Sequence, residues 1–148
     1  MPEKETIERA KKDKEQGKAP TTQAGEFIRE EMHHIREGKH GARSSKQAIA
    51  IGLSKARRAG VDLPPPAEGT VSEKTRRSAQ SAYTRGKAST RPSPRRARAV
   101  LGALKREGRA AASHTALSRQ AHATARRRGR ASRSATARKA ARTRARSQ

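Results

Sequence analysis

The chain has 148 residues and a formal net charge of +24, because 37 Lys and Arg face only 13 Asp and Glu. Hydrophobic residues make up 30% of it and aromatic residues 1%, which excludes a large core of bulky side chains. The lack of cysteine excludes disulfides and thiolate chemistry. Low hydrophobicity with high net charge is typical of disorder. We therefore expect a mostly α protein, with a short helical hairpin followed by a long basic, largely disordered tail with transient helices.

The positive charge is concentrated in the second half of the chain. Residues 1–66 contain 14 basic and 10 acidic residues, whereas residues 67–148 contain 23 and 3. No acidic residue follows Glu107. This asymmetry points to a polyanionic partner, and nucleic acid is the commonest one, since each Lys or Arg placed on a phosphate releases a condensed counterion.

Residues 1–19 are predicted to form a charged N-terminal arm, with at most a frayed helix that ends at Gly17. The first residues lack the apolar run of a secretory signal. The longest apolar run, residues 48–53, is too short to cross a bilayer. We therefore expect a cytoplasmic, nucleoid-associated protein with no membrane partner.

Residues 20–63 are predicted to form the helical hairpin. Thr21 or Thr22 can cap a first helix that runs to about Glu37, and Gly38 is placed to end it. Glu31 lies inside the apolar stripe of this helix, where it must reach water at an edge or find a basic partner. The stripe consists of Ala24, Phe27, Ile28, Met32 and Ile35.

The second helix of the hairpin has clear start and stop signals. Residues 44–47 read S-S-K-Q, a capping box, and Gly60 stands at the position of a left-handed C-cap. The small residues Gly52 and Ala56 would let the first helix approach closely. Because a single partner helix barely covers this apolar face, self-association through the hairpin is a further expectation.

Residues 64–93 are predicted to be a Pro/Ser-rich linker with a weak helix, which a capping box at residues 70–73 opens and Gly86 ends. Residues 94–148 are predicted to be a basic Ala/Arg-rich tail that binds DNA. Pro94 can occupy the first position of a short helix there. The narrow apolar stripe of that helix consists of Ala97, Val100, Leu101 and Leu104.

Arginine suits phosphate because its planar fork donates two parallel hydrogen bonds. Residues 93–96 read S-P-R-R, which resembles histone-tail elements that enter an A·T-rich minor groove; alternatively, Ser-Pro only starts a helix. The predicted DNA-binding residues are Arg95, Arg96, Arg98, Lys105, Arg106, Arg109, Arg119, Arg126, Arg127, Arg128, Arg130, Arg133, Arg138, Lys139, Arg142, Arg144 and Arg146. Additional phosphate contacts, or residues that only solvate the second hairpin helix, are Arg43, Lys46, Lys55, Arg57 and Arg58.

Histidines and glutamates cluster around residues 30–40, and Glu30–His34 and His33–Glu37 are each four residues apart. Without a second group of ligands, we interpret them as ion pairs on a charged outer face rather than a metal site. No Gly-rich phosphate loop, nucleophile elbow or cysteine nucleophile is present in the sequence. We therefore predict no enzyme activity, no catalytic residues, no cofactor and no metal.

The block Lys39-His40-Gly41 followed by residues 45–56 (SKQAIAIGLSKA) resembles a family of small basic bacterial proteins of unknown function that are often labelled DNA-binding. The resemblance covers about residues 20–61 and implies association with DNA. It implies no catalytic residues. The Ala/Arg-rich tail resembles the C-termini of linker histones in composition.

These observations favour sequence-independent DNA binding and compaction by a nucleoid-associated, histone-like protein. DNA is favoured over RNA as the partner, because the near absence of aromatic residues argues against stacking on single-stranded bases. One alternative is a basic protein associated with RNA or the ribosome. The other is a protein-interaction module with a localising basic tail.

Overall fold

A computed structural model gives the structure of residues 1–88 and 93–146. The chain divides into two compact units, Met1–Ser113 and His114–Gln148. No helix in the described ranges has the length and hydropathy needed to cross a membrane. The helices of the described residues are α1 (Lys4–Glu15), α2 (Pro20–Arg36), α3 (Ser45–Arg58), α4 (Glu73–Lys87), α5 (Pro94–Lys105), α6 (His114–Arg127) and α7 (Gly129–Arg146), with a 3₁₀ turn at Ala110–Ala112.

Helices α2 and α3 pack as an antiparallel pair within the range predicted for the hairpin. The two helices pack closely because Gly52 has no side chain: a Cβ there would lie 2.8 Å from the Cα of Ile28. Gly38 has a left-handed φ of 77° just after α2, as its position predicted. The predicted apolar stripe of α2 faces inward, and Phe27 and Ile35 are almost completely buried.

The caps of α3 follow the local sequence. The Ser44 hydroxyl accepts a hydrogen bond from the Gln47 backbone N–H at 3.2 Å. The Gln47 side chain accepts from the Arg43 N–H at 2.7 Å, one residue before the expected Ser44 N–H. At the other end, Gly60 has a φ of 91°, and the Val61 N–H donates to the Ala56 carbonyl at 3.1 Å. This pattern is a Schellman motif.

Helices α1 and α4 cover the two outer sides of the hairpin. Helix α1 packs on α2, and α4 packs on α3. The expectation that the apolar face of the hairpin is barely covered therefore does not hold. The small core cluster between α1, α2 and the end of α3 consists of Ala10, Ala24, Phe27, Ala56 and Val61, with Ile7, Leu53 and Leu63 packed against it.

The packing of α4 on α3 depends on small residues. Ala79 and Ala82 are buried, and a Cβ on Gly86 would lie 1.8 Å from the Arg57 carbonyl oxygen. The weak helix was predicted to end before Gly86, and this is wrong, because Gly86 is the contact point and α4 continues to Lys87. The N-cap is Ser72 rather than the predicted Thr70, since the Ser72 hydroxyl accepts from the Thr75 N–H.

The end of α5 and the segment after it pack on the connection between α2 and α3. The N–H of Gly41 donates to the Leu104 carbonyl at 2.9 Å, and the N–H of Ala42 donates to Gly108 at 3.0 Å. The guanidinium of Arg36 donates to the Ala112 carbonyl at 2.9 Å, and Ala112 is fully buried. Residues well inside the predicted tail therefore belong to the first unit.

The predicted long disordered tail is wrong, because α5, α6 and α7 occupy most of residues 94–146. Thirteen of the 18 residues of α7 are Ala, Arg or Lys, which rank among the strongest helix formers. Like charges one turn apart oppose a helix by only about 0.2–0.5 kcal/mol per pair. This repulsion is too weak to prevent the helix, although the sequence prediction assumed that it would. Residues 89–92 of the predicted linker lie outside the described residues.

Candidate nucleic-acid interface

Helix α7 is the most basic element of the protein. It carries seven Lys and Arg residues and no acid, and none of its residues is buried. At 100° per residue, the seven charges spread over about 240° of the helix circumference. Its 18 residues correspond to a rod about 27 Å long. The predicted contacts on it are Arg130, Arg133, Arg138, Lys139, Arg142, Arg144 and Arg146.

Helix α6 belongs to the same unit and likewise buries no residue. Arg119 and Arg126 lie on one side of it, seven residues apart, and His122 lies between them along the chain. Arg127 ends the helix, and Arg128 precedes Gly129, whose φ of 68° allows the turn into α7. The second unit therefore presents basic side chains along both of its helices.

Helix α5 carries a separate basic face on the first unit. Arg95, Arg98 and Lys105 lie within about 80° of one another, with Arg96 to one side. Val100, on the opposite side, is 54% accessible, and Leu101, about 40° from Lys105, is 42% accessible. Of the predicted contacts that follow α5, Arg106 is exposed and the Arg109 side chain lies against Gly38.

Two of the additional candidates are engaged inside the protein. The Arg57 guanidinium donates to the carbonyls of Leu63 at 3.0 Å and Pro64 at 3.3 Å, and burial lowers its pKa. Lys55 lies 2.7 Å from Glu31. Both side chains hold the first unit together, whereas Lys46 is exposed and Arg43 is 80% exposed.

Arg58 lies in a cluster of three arginines that the sequence did not predict. Burial lowers the pKa of Arg58, and the like charges of Arg85 and Arg96 lower it further. The three residues come from the ends of α3 and α4 and the start of α5. Arg85 could not be selected from the sequence, because only the packing of α4 on α3 brings it near Arg58.

The predicted outer-face placement of the histidines and glutamates is wrong for Glu30 and His40, which are buried beside Glu31 of the apolar stripe. Glu31 is 0% exposed, Glu30 is 4% and His40 is 8%. Of the two alternatives predicted for Glu31, water or a basic partner, the structure shows basic partners, with Oε2 2.7 Å from Lys55 Nζ and Oε1 3.2 Å from His40 Nε2. His33 remains exposed.

Residues 13–67 match the model of a family of unknown function (DUF6496). The match contains α2, α3, their connection and the buried cluster of charges, and it ends before α4. Every residue of α5, α6 and α7 therefore lies outside it. No curated protein and no solved structure matches the chain.

Proposed function

We propose that the protein binds duplex DNA without sequence preference and compacts it. The observation that carries this proposal is α7, a helix with seven basic residues, no acid and no buried side chain. A helix that buries nothing within the described residues can present its basic side chains to a ligand. The sequence-independent part of DNA affinity comes from such phosphate contacts.

The dimensions of α7 suit a duplex. An α-helix fits the major groove, and about 27 Å of duplex offers roughly 16 phosphate charges, at one per 1.7 Å. Charges spread over most of a helix circumference reach phosphates on both sides of a groove. Two aromatic residues in the whole chain, Phe27 and Tyr83, leave little scope for base stacking.

Compaction requires that one chain hold more than one stretch of DNA. The two units carry separate basic surfaces, α6 and α7 on one and the face of α5 with Arg58 and Arg96 on the other. A chain with two such surfaces can contact two duplex segments. Lys55 and Arg57 take no part in the proposal, because they are engaged inside the fold.

The test is a salt series of duplex titrations with the full chain, read by fluorescence anisotropy of a labelled 30-base-pair DNA. One variant replaces four arginines of α7 with glutamine, at positions 133, 138, 142 and 146. The matched control replaces four exposed lysines of α1 with glutamine, at positions 4, 11, 12 and 14. Both variants lose four positive charges.

We expect the α7 variant to reduce the log–log salt slope by about 3 to 4, since each lost phosphate contact removes about 0.9. The α1 variant should change the slope by less than about 1. Equal losses in both would mean that net charge rather than α7 governs binding. Negligible duplex binding at about 0.15 M salt would refute the proposal, and tighter binding to an RNA hairpin in the same series would favour the RNA-associated alternative.

A further inference from the structure

A second cluster of chemically active side chains lies in the first unit, where α2 meets the connection to α3. Glu31 and His34 come from α2 and His40 from the connection. One donor atom from each of the three lies within 4.8 Å of the other two. The histidine rings meet edge to face, with centroids 6.1 Å apart. Three such groups this close are a ligand set for a divalent cation.

The carboxylate of Glu31 is buried without aligned hydrogen bonds. Both oxygens are inaccessible, and no donor among the described residues has hydrogen-bond geometry toward either of them. Lys55 approaches Oε2 to 2.7 Å, which leaves Oε1 facing His40. A buried carboxylate is costly unless a positive charge or hydrogen bonds compensate it.

The orientation of His40 places a lone pair toward that carboxylate. Its Nδ1 lies 3.1 Å from the Gly41 carbonyl oxygen, and a carbonyl only accepts, so the proton is on Nδ1. In the neutral ring, Nε2 then presents its lone pair to Glu31 Oε1 at 3.2 Å. Two lone pairs that face each other at this distance require a proton or a cation between them. A backbone carbonyl on the far nitrogen is the usual partner of a metal-binding histidine.

His34 is oriented in the same way by a carboxylate. Its Nε2–H donates to Glu3 Oε1 at 2.9 Å, so Nδ1 is the nitrogen with the available lone pair in the neutral ring. Glu30 Oε1 lies 4.0 Å from Nδ1. A carboxylate, a histidine and a metal in line are a recurrent arrangement.

The net charge of the buried cluster also favours a bound cation. Glu30 and Glu31 contribute two negative charges, and Lys55, 3.6 Å and 2.7 Å from them, contributes one positive charge. Neutral histidines add none. With both histidines neutral, Glu30, Glu31 and Lys55 together carry a net charge of −1, which favours a bound cation.

We propose that Glu31 Oε1, His34 and His40 bind a first-row divalent cation, with Zn²⁺ as the best-matched ion. Two imidazoles and one carboxylate are a common Zn²⁺ donor set. Bonds of about 2.0–2.2 Å would draw the three donors closer together than they lie now. The bound ion would join α2 to the connection at His40, which Gly41 in turn ties to Leu104. A water would complete the four-coordination, and none of the three ligands is among the proposed DNA contacts.

The test uses the untagged full chain, stripped with a chelator and titrated with ZnCl₂ by calorimetry and with CoCl₂ by visible absorption. The unmodified protein should bind one Zn²⁺ and give the intense visible bands of four-coordinate Co²⁺. His34→Gln and His40→Gln should each weaken binding at least about tenfold, the loss recorded even for outer partners of metal ligands. The matched control is His114→Gln with His122→Gln, which removes two exposed histidines and should change the affinity less than about twofold.

His40 is buried, so its variant is accepted only if its far-UV circular dichroism matches the unmodified chain. The Co²⁺ spectrum of the unmodified protein provides a test that needs no variant. Zn²⁺ should also raise the melting temperature, because a ligand that binds only the folded state stabilises it. Absent Co²⁺ bands, or Zn²⁺ binding that is lost only in the control variant, would overturn the proposal. Glu31 and a doubly protonated His40 would then form a simple ion pair.

Discussion

Residues 13–67 and helix α7 are both rich in helix-forming residues, but they use their charges in opposite ways. In the first region, Glu31 and Lys55 are paired inside the fold, and the Arg57 guanidinium donates hydrogen bonds to backbone carbonyls. In α7, seven basic residues have no acid in their helix and bury nothing. A basic residue is a candidate for DNA binding only where no acidic group or backbone carbonyl within the fold already pairs with its charge.

The two regions also become helical for different reasons. Helices α2 and α3 depend on each other through the contact of Gly52 with Ile28. Helix α7 is composed mainly of residues that favour a helix locally. Tyr83 reports on the first unit and not on α7, because it is the only Tyr or Trp and lies in α4, which packs on α3.

The largest expected effect comes from the buried charges of the first region. Lys55→Met leaves Glu31 buried without its nearest base, so the free energy of unfolding should fall by about 3–5 kcal/mol. Urea unfolding followed by Tyr83 fluorescence measures this change. Lys46→Met, at an exposed position on the same helix, should stay within about 0.5 kcal/mol. A loss below about 1 kcal/mol for Lys55→Met would show that the buried ion pair is not needed for the fold.

The next effect tests the close approach of α2 and α3. Gly52→Ala places a Cβ 2.8 Å from the Ile28 Cα and should lower the free energy of unfolding by about 1–3 kcal/mol. Gly25→Ala in α2 meets no atom within 4 Å and should instead raise it by about 0.5–1 kcal/mol. Urea unfolding gives both values, and the same sign for the two variants would contradict the packing described above.

A glycine in α7 should affect only the local helix. Ala137→Gly costs about 1 kcal/mol of helix stability, so the 222 nm ellipticity should decrease. The unfolding midpoint reported by Tyr83 should not change. Ala56→Gly in α3 is the matched substitution at a fully buried alanine, and it should shift that midpoint to lower urea. A midpoint shift with Ala137→Gly would show that α7 contributes to the stability of the first unit.

The smallest effect concerns acid stability. Hydrogen bonds from His34 and then Lys39 hold the pKa of Glu3 below its ordinary value of 4.5. A lowered pKa in the folded state contributes stability that is present above pH 4.5 and is lost as the pH falls through the lowered value. Glu3→Gln should therefore reduce the difference in urea midpoint between pH 6 and pH 3. Glu15→Gln, at an exposed end of α1, serves as the control, and an equal reduction there would argue against a specific role for Glu3.

Local patterns were sufficient where neighbouring residues decide the structure. The Ser44 cap, the left-handed glycines at 38 and 60 and the small residue at 52 were all predicted correctly, because each depends on contacts within a few residues or on one helix face. The same helical periodicity predicts that Glu31 must reach water or find a basic partner. The partners themselves, Lys55 and His40, could not be chosen among the many basic residues nearby.

The amino-acid sequence by itself determined the helical hairpin, its caps and the separation of a nearly balanced first half from a basic second half. Only the tertiary structure decided which charges are available. Burial of Glu30, Glu31 and His40 follows from α1, α3 and the segment after α5 closing around α2, and these contacts join residues far apart in the chain. A periodic pattern reports which face of a helix is apolar, but not what covers the polar face. The pairing and burial of charged side chains depend on which elements cover them. The fold alone therefore separates the Lys and Arg residues that are paired inside the protein from those available to a polyanion.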